Sequence, residues 1–74
     1  MRFLLKATYN WNMKYYLIDL KNKGYNIIQQ EDNYYIDVDN IDVLLGISEI
    51  LDKEILIFRD EDEWCIEIYN GWRE

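Results

Sequence analysis

The sequence predicts a single α+β domain, and three patterns carry that reading. Three segments place an apolar residue at every second position, two place them at three- and four-residue steps, and turn-forming residues fill the gaps. Seventy-four residues give room for one core and for no second domain, so residues 1–74 are read as one unit.

The elements follow in order. Met1, Phe3, Leu5, Ala7 and Tyr9 alternate with Arg2, Leu4, Lys6 and Thr8, the period of a strand with one buried face. Asn10 or Asn12 is placed to cap the next element, a helix over about Trp11–Lys23 with Met13, Tyr16, Leu17 and Leu20 on its apolar side. Lys21 and Lys23 in the last turn suit the negative end of the helix dipole, and Gly24 suits a left-handed stop. Tyr25–Gln30 and Asn33–Asp39 read as a hairpin turning at Glu31-Asp32, with Tyr34, Ile36 and Val38 on one face and Tyr35, Asp37 and Asp39 on the other. Asp39 or Asn40 caps a second helix, with Asp42 in its first turn and Ile41, Leu44, Leu45, Ile47 and Leu51 on its apolar side. Glu49 and Lys53 have the spacing of a surface ion pair on that helix. Ile55–Phe58 is apolar without alternation, as in a strand covered on both faces. After Asp60–Glu63, a last strand turns Trp64, Ile66 and Ile68 one way and Cys65, Glu67 and Tyr69 the other.

The order strand-helix-strand-strand-helix-strand-strand contains the split βαβ, or ferredoxin-like, arrangement. It implies an antiparallel sheet with two helices on one face, the first and fourth strands at its centre, and the fifth added as a C-terminal hairpin strand. Leu56 and Phe58 must then pack under something or form an exposed patch on the open face. Such a fold hosts many activities and does not select one.

Composition excludes most chemistries. With no histidine, one serine (Ser48), one threonine (Thr8) and one cysteine (Cys65), no imidazole-activated nucleophile and no zinc shell can be assembled. The glycines Gly24, Gly46 and Gly71 are too far apart for a phosphate-cradling loop. Asp37-Val38-Asp39-Asn40-Ile41-Asp42 resembles the start of a calcium loop, but Ile41 and Asp42 stand where an oxygen ligand and a glycine are required. Asp60 and Asp62 fail similarly at Trp64. No cofactor and no metal are expected, and a chain this small leaves little room for a substrate cleft, so no enzyme is expected. No uninterrupted apolar run is longer than four residues, as in Ile55–Phe58, and charges flank Phe3–Leu5, so neither a membrane span nor a signal peptide is expected. The lone Cys65 suits a reducing compartment and alternates with core positions as a half-buried residue, so a cytoplasmic location is the expectation.

Charge is divided along the chain. Up to Gly24, five basic residues stand against one acid, a net of +4; from Tyr25 onward, fourteen acids stand against three bases, a net of −11. Asp37 and Asp39, two residues apart on one strand, project from the same face about 6.6 Å apart. Asp60, Glu61, Asp62 and Glu63 are consecutive in a hairpin loop, with Glu67 on the strand that follows. Trp64, Tyr69 and Trp72 accompany them, and aromatic anchors inside a charged rim are an interface composition. The candidate partner-binding residues are therefore Asp37, Asp39, Asp60, Glu61, Asp62, Glu63, Glu67 and Trp72. A sequence pI near 4.4 disfavours nucleic acid as a direct partner, despite Tyr34, Tyr35 and Phe3 on the sheet and Lys14 and Lys21 on the first helix.

In size, net charge and lack of catalytic residues the chain resembles small phage-encoded inhibitors, anti-CRISPR proteins and other DNA mimics. The likeness is of physical type and carries over no residue. It implies a protein that covers a basic, nucleic-acid-binding surface of a partner. Thirty of the 74 residues are Ile, Asn, Lys or Tyr, the types AT-rich codons specify, which suits a low-GC bacterium or its phage. Two other readings stand beside it: an immunity protein or antitoxin blocking a toxin's active site, and a self-associating subunit that forms a homodimer through a strand edge or the Leu56 and Phe58 face.

Overall fold

In the computed structural model, residues 1–7 and 13–69 are described. They form β1 (Arg2–Ala7), α1 (Met13–Asn22), β2 (Asn26–Gln30), β3 (Asn33–Asp37), a 3₁₀ turn (Ile41–Leu44), α2 (Leu45–Leu51), β4 (Ile55–Asp60) and β5 (Glu63–Ile68). The expected caps Asn10 and Asn12, the outer end of the first strand at Thr8 and Tyr9, and Trp72 lie outside the described residues.

The alternation in β1 translates directly into two faces. Phe3 and Leu5 are buried with Ile36, Ile66 and Ile68 beneath Tyr16, Leu17 and Leu20 of α1 and Leu44, Ile47 and Leu51 of the second helical segment. The helices thus form one layer and the sheet the other. Gly24 ends α1 with φ +96°, a conformation that costs glycine little. Asn40 caps the 3₁₀ turn, its side-chain oxygen accepting from the Asp42 N–H at 2.9 Å. Because the first turn is 3₁₀ rather than α, the buried stripe is Leu44, Ile47 and Leu51; Ile41 and Leu45, expected on that side, are exposed, Leu45 by 66%. The helix ends at Leu51, Asp52 turns left-handed at φ 55°, and the Lys53 ammonium faces the Asp52 carbonyl at 3.4 Å, so the expected Glu49–Lys53 pair does not form.

Strand order departs from the ferredoxin-like expectation. The order is β2-β3-β1-β5-β4, a five-stranded mixed sheet in which β1 is antiparallel to β3 but parallel to β5. β4, expected at the centre and covered on both faces, is an edge strand. The two-residue turn at Glu61-Asp62 makes β4 and β5 neighbours, and cross-strand matching selects β5 for the inner place. Ile66 and Ile68 supply fully buried partners for Leu5 and Ala7. On the other face β5 sets Glu67 in register with Lys6, whose ammonium reaches Asp60 of β4 at 3.7 Å.

Candidate partner-binding surface

The registers resolve the open face of the sheet, opposite the helices, into rows with one residue from each strand. The middle row runs Ile28, Tyr35, Leu4, Cys65, Phe58. Every member is apolar or aromatic and half-buried, except Cys65, which is fully buried although its position alternates away from the helices. Leu4 and Phe58 flank it in register, and the Lys6 ammonium closes over the Phe58 ring at 5.5 Å. Burial accordingly pushes the Cys65 thiol pKa up, with the Lys6 charge opposing the rise. Leu56, one row away, is 45% exposed, so the open face carries the exposed patch that its apolar run implied.

The next row toward the start of β1 carries four charges: after Asn26 come Asp37, Arg2, then Glu63 at the head of β5 and Asp60 at the end of β4. Across strands about 4.8 Å apart, Asp37 and Asp60 stand about 14 Å from each other with Arg2 and Glu63 between. Two of these carboxylates have exposed cationic neighbours. Asp37 is 3.5 Å from the Met1 ammonium, which also donates to the Val38 carbonyl, and Asp60 is 3.7 Å from the Lys6 ammonium. Arg2 lies over the Tyr35 ring at 5.8 Å. Desolvation, followed by the charge and hydrogen bond of Glu63, pushes the Tyr35 phenol pKa above its usual range. Just beyond the row, the Glu61-Asp62 turn is exposed; Glu61 has φ 57°, and Arg59 Nε donates to its carbonyl at 3.2 Å. The same Arg59 sits 5.5 Å over Trp64, whose ring packs tilted on Phe3 at 6.1 Å and remains 39% exposed.

The structure therefore brings Asp37, Asp60, Glu61, Asp62 and Glu63 to one end of the sheet. Glu67 shares their face but lies at the opposite end of β5, beside Lys6 and Leu56. The strand spacing expected for Asp37 and Asp39 does not apply, because β3 ends at Asp37 and Asp39 lies in the bend that follows. The two still share the rim of a shallow hollow of about 320 Å³ with Gly24, Tyr25, Asn26, Val38 and Val43. Arg2 and the Met1 ammonium at the centre of this acidic end were missed from the sequence, since they belong to the basic part of the chain; the β1 alternation that puts Arg2 on the open face was the available signal.

A hollow of about 450 Å³ opens beside the end of β1, with Lys6, Asp32, Asn33 and Glu67 as its polar lining and Leu4, Leu5, Ala7, Met13 and Tyr34 as the remainder. Among the described residues, no three Cys, Asp or Glu side chains are grouped to hold a metal ion, and no helix is long and apolar enough to cross a membrane. The helical layer exposes Tyr15 and Ile18 on α1, a pair that the 3.6-residue period places away from the core. No protein-family model matches the chain, and no curated protein or solved structure matches it either.

Proposed function

We propose that this protein is a non-enzymatic binding protein whose acidic sheet end occupies a basic surface of a partner protein, a surface that otherwise holds nucleic acid. The observation that carries the reading is the charged row Asp37, Arg2, Glu63, Asp60 with the exposed Glu61-Asp62 turn at its end. The consecutive carboxylates Asp60–Glu63 of the β4–β5 hairpin are joined at that end by Asp37 of β3, from a distant part of the chain. Asp37 and Asp60 have cationic neighbours within the chain, in the Met1 ammonium and Lys6, and a cationic partner surface lowers the repulsion left among Glu61, Asp62 and Glu63. Such a surface accelerates encounter with a basic partner and suppresses binding to nucleic acid itself. Trp64, beside the turn but on the helix-facing side of the sheet, stays 39% exposed and adds an aromatic edge to that end. In this reading the protein is a phage-type inhibitor acting in the cytoplasm, of the physical kind that anti-CRISPR proteins and DNA mimics represent.

The test is affinity capture by the full chain from lysate of a low-GC bacterial host. A variant carrying Asp60→Asn, Glu61→Gln, Asp62→Asn and Glu63→Gln is run beside it. A nucleic-acid-handling protein held by the wild type, released between about 50 and 200 mM salt and absent from the variant, is the expected result. A partner that the variant retains, or that is indifferent to salt, rejects the proposal.

A further inference from the structure

The two edges of the sheet differ in character. β2 reads Asn26-Ile27-Ile28-Gln29-Gln30, whereas β4 carries the apolar run Ile55–Phe58 with no proline, glycine or bulge to blunt it. Exposed apolar edges of this kind pair with another strand. We infer that β4 is a self-association edge, at which a second copy of this chain adds its own β4 antiparallel and in register about Ile57. The inference stands on β4 alone and does not depend on the acidic end having a partner.

The direction of the backbone groups follows from the hairpin. The Tyr69 N–H donates to the Glu54 carbonyl at 2.8 Å, so Glu54 and Tyr69 form a bonded pair of the β4–β5 ladder. Bonded and non-bonded pairs alternate in an antiparallel ladder. Leu56, Phe58 and Asp60 therefore bond to β5, while Ile55, Ile57 and Arg59 turn their N–H and C=O groups outward. These three are symmetric about Ile57. A two-fold copy places Ile57 opposite Ile57 and Ile55 opposite Arg59, and all six outward groups of each strand find partners without a shift. The same register sets Leu56 of one copy against Phe58 of the other on the open face, extending the apolar row from one sheet into the next.

Charge at the ends both favours and opposes this register, with one opposite-charge and one like-charge match per copy. Lys53 of one copy comes level with Glu61 of the other; Glu54 comes level with Asp60, which already has Lys6 at 3.7 Å. Six residues make a strip about 20 Å long, and with side chains on both faces the pair buries about 800 Å² in total, below the roughly 1,200 Å² of a standard stable interface. The dimer is accordingly weak, forming in the range of roughly 10 µM to 1 mM.

The experiment is sedimentation of the full chain over that range, combined with amide hydrogen exchange by NMR at its two extremes. The expected result is a concentration-dependent rise in mass toward the dimer, with the Ile55, Ile57 and Arg59 amides gaining at least tenfold protection and those of Leu56 and Phe58 unchanged. Ile57→Pro removes an outward N–H, a place where an edge strand tolerates proline, and weakens dimerisation by at least tenfold. Because Ile57 also packs on the core, Leu56→Lys is the second variant; its site is exposed, and it sets a lysine against Phe58 of the other copy with the same expected loss. A monomer mass throughout, a dimer whose alternate amides do not respond, or a dimer that survives Leu56→Lys and is abolished by Leu45→Lys on the helical layer overturns the inference.

Discussion

A cross-link between β1 and β5 tests the most unexpected feature of the fold. Leu4 and Cys65 are register partners on the open face of parallel neighbours, so their Cα atoms are about 4.8 Å apart, inside the range that a disulfide spans. Leu4→Cys supplies the second thiol. The bond closes a loop of about 60 residues, for which the chain-entropy model gives about 4 kcal/mol. Losing the half-buried Leu4 side chain takes back about 1–2 kcal/mol, leaving a net gain of roughly 2–3 kcal/mol and a Tm rise on the order of 10 °C. Since burial pushes the Cys65 thiol pKa up, oxidation is driven at mildly alkaline pH with oxidised glutathione, and the product is read by mass, by thiol titration and by guanidinium unfolding. The control places cysteines at Leu4 and Phe58 with Cys65→Ser. Those positions are two strand spacings apart, about 10 Å, and should not bridge. In an all-antiparallel ferredoxin-like sheet β4 would border β1 and the preference would reverse; closure of the 4–58 pair with the 4–65 pair left reduced would refute the strand order and its explanation.

Two further outcomes follow from local geometry. Tyr35 is favoured as the neutral phenol in the fold, by desolvation first and then by Glu63, so its contribution to stability is complete below the unfolded phenol value near pH 10 and is lost as pH rises through the higher folded value. Denaturation at pH 9 and pH 11 should therefore show an alkaline loss that Tyr35→Phe reduces, and an unchanged loss in that variant would remove Tyr35 as its source. Asp52 carries φ 55° just past α2, where glycine avoids the steric penalty, so Asp52→Gly should stabilise by about 0.5–1 kcal/mol in guanidinium titration. A destabilised variant would mean that the aspartate side chain itself holds the turn.

Much of the local structure was legible because it depends on neighbouring residues. Phe3 and Leu5 alternate with Arg2, Leu4 and Lys6; Asn40 is followed by Asp42; Gly24 follows Lys21 and Lys23. Each pattern fixes a face, a cap or a stop within one turn of chain. Strand order was not legible, because it depends on matches between residues sixty apart, such as Leu4 with Cys65 and Lys6 with Glu67. The Ile55–Phe58 run misled for the same reason. Four consecutive apolar residues describe both a covered central strand and an edge with a packed face of Ile55 and Ile57 and an open face of Leu56 and Phe58. At the acidic end, Asp60–Glu63 stood out as a run, whereas the adjacency of Asp37 and its neighbour Arg2 is a product of sheet register. Asp39 was misplaced because alternation gives no sign of where a strand stops.

The parallel pairing of β1 with β5 has a consequence for how the chain is made. During synthesis β1 emerges first, and the β2–β3 hairpin can cover one of its sides once about half the chain is out. Its other side waits for residues 63–68, and closing so long a loop is slow compared with forming a hairpin. For that interval the strand destined for the middle of the sheet is itself a bare edge. A ribosome that stalls, or a message that is cut, before the codon for Ile68 releases a chain with this edge unpaired, so incomplete products are expected to be recognised and degraded rather than to accumulate as a smaller working domain.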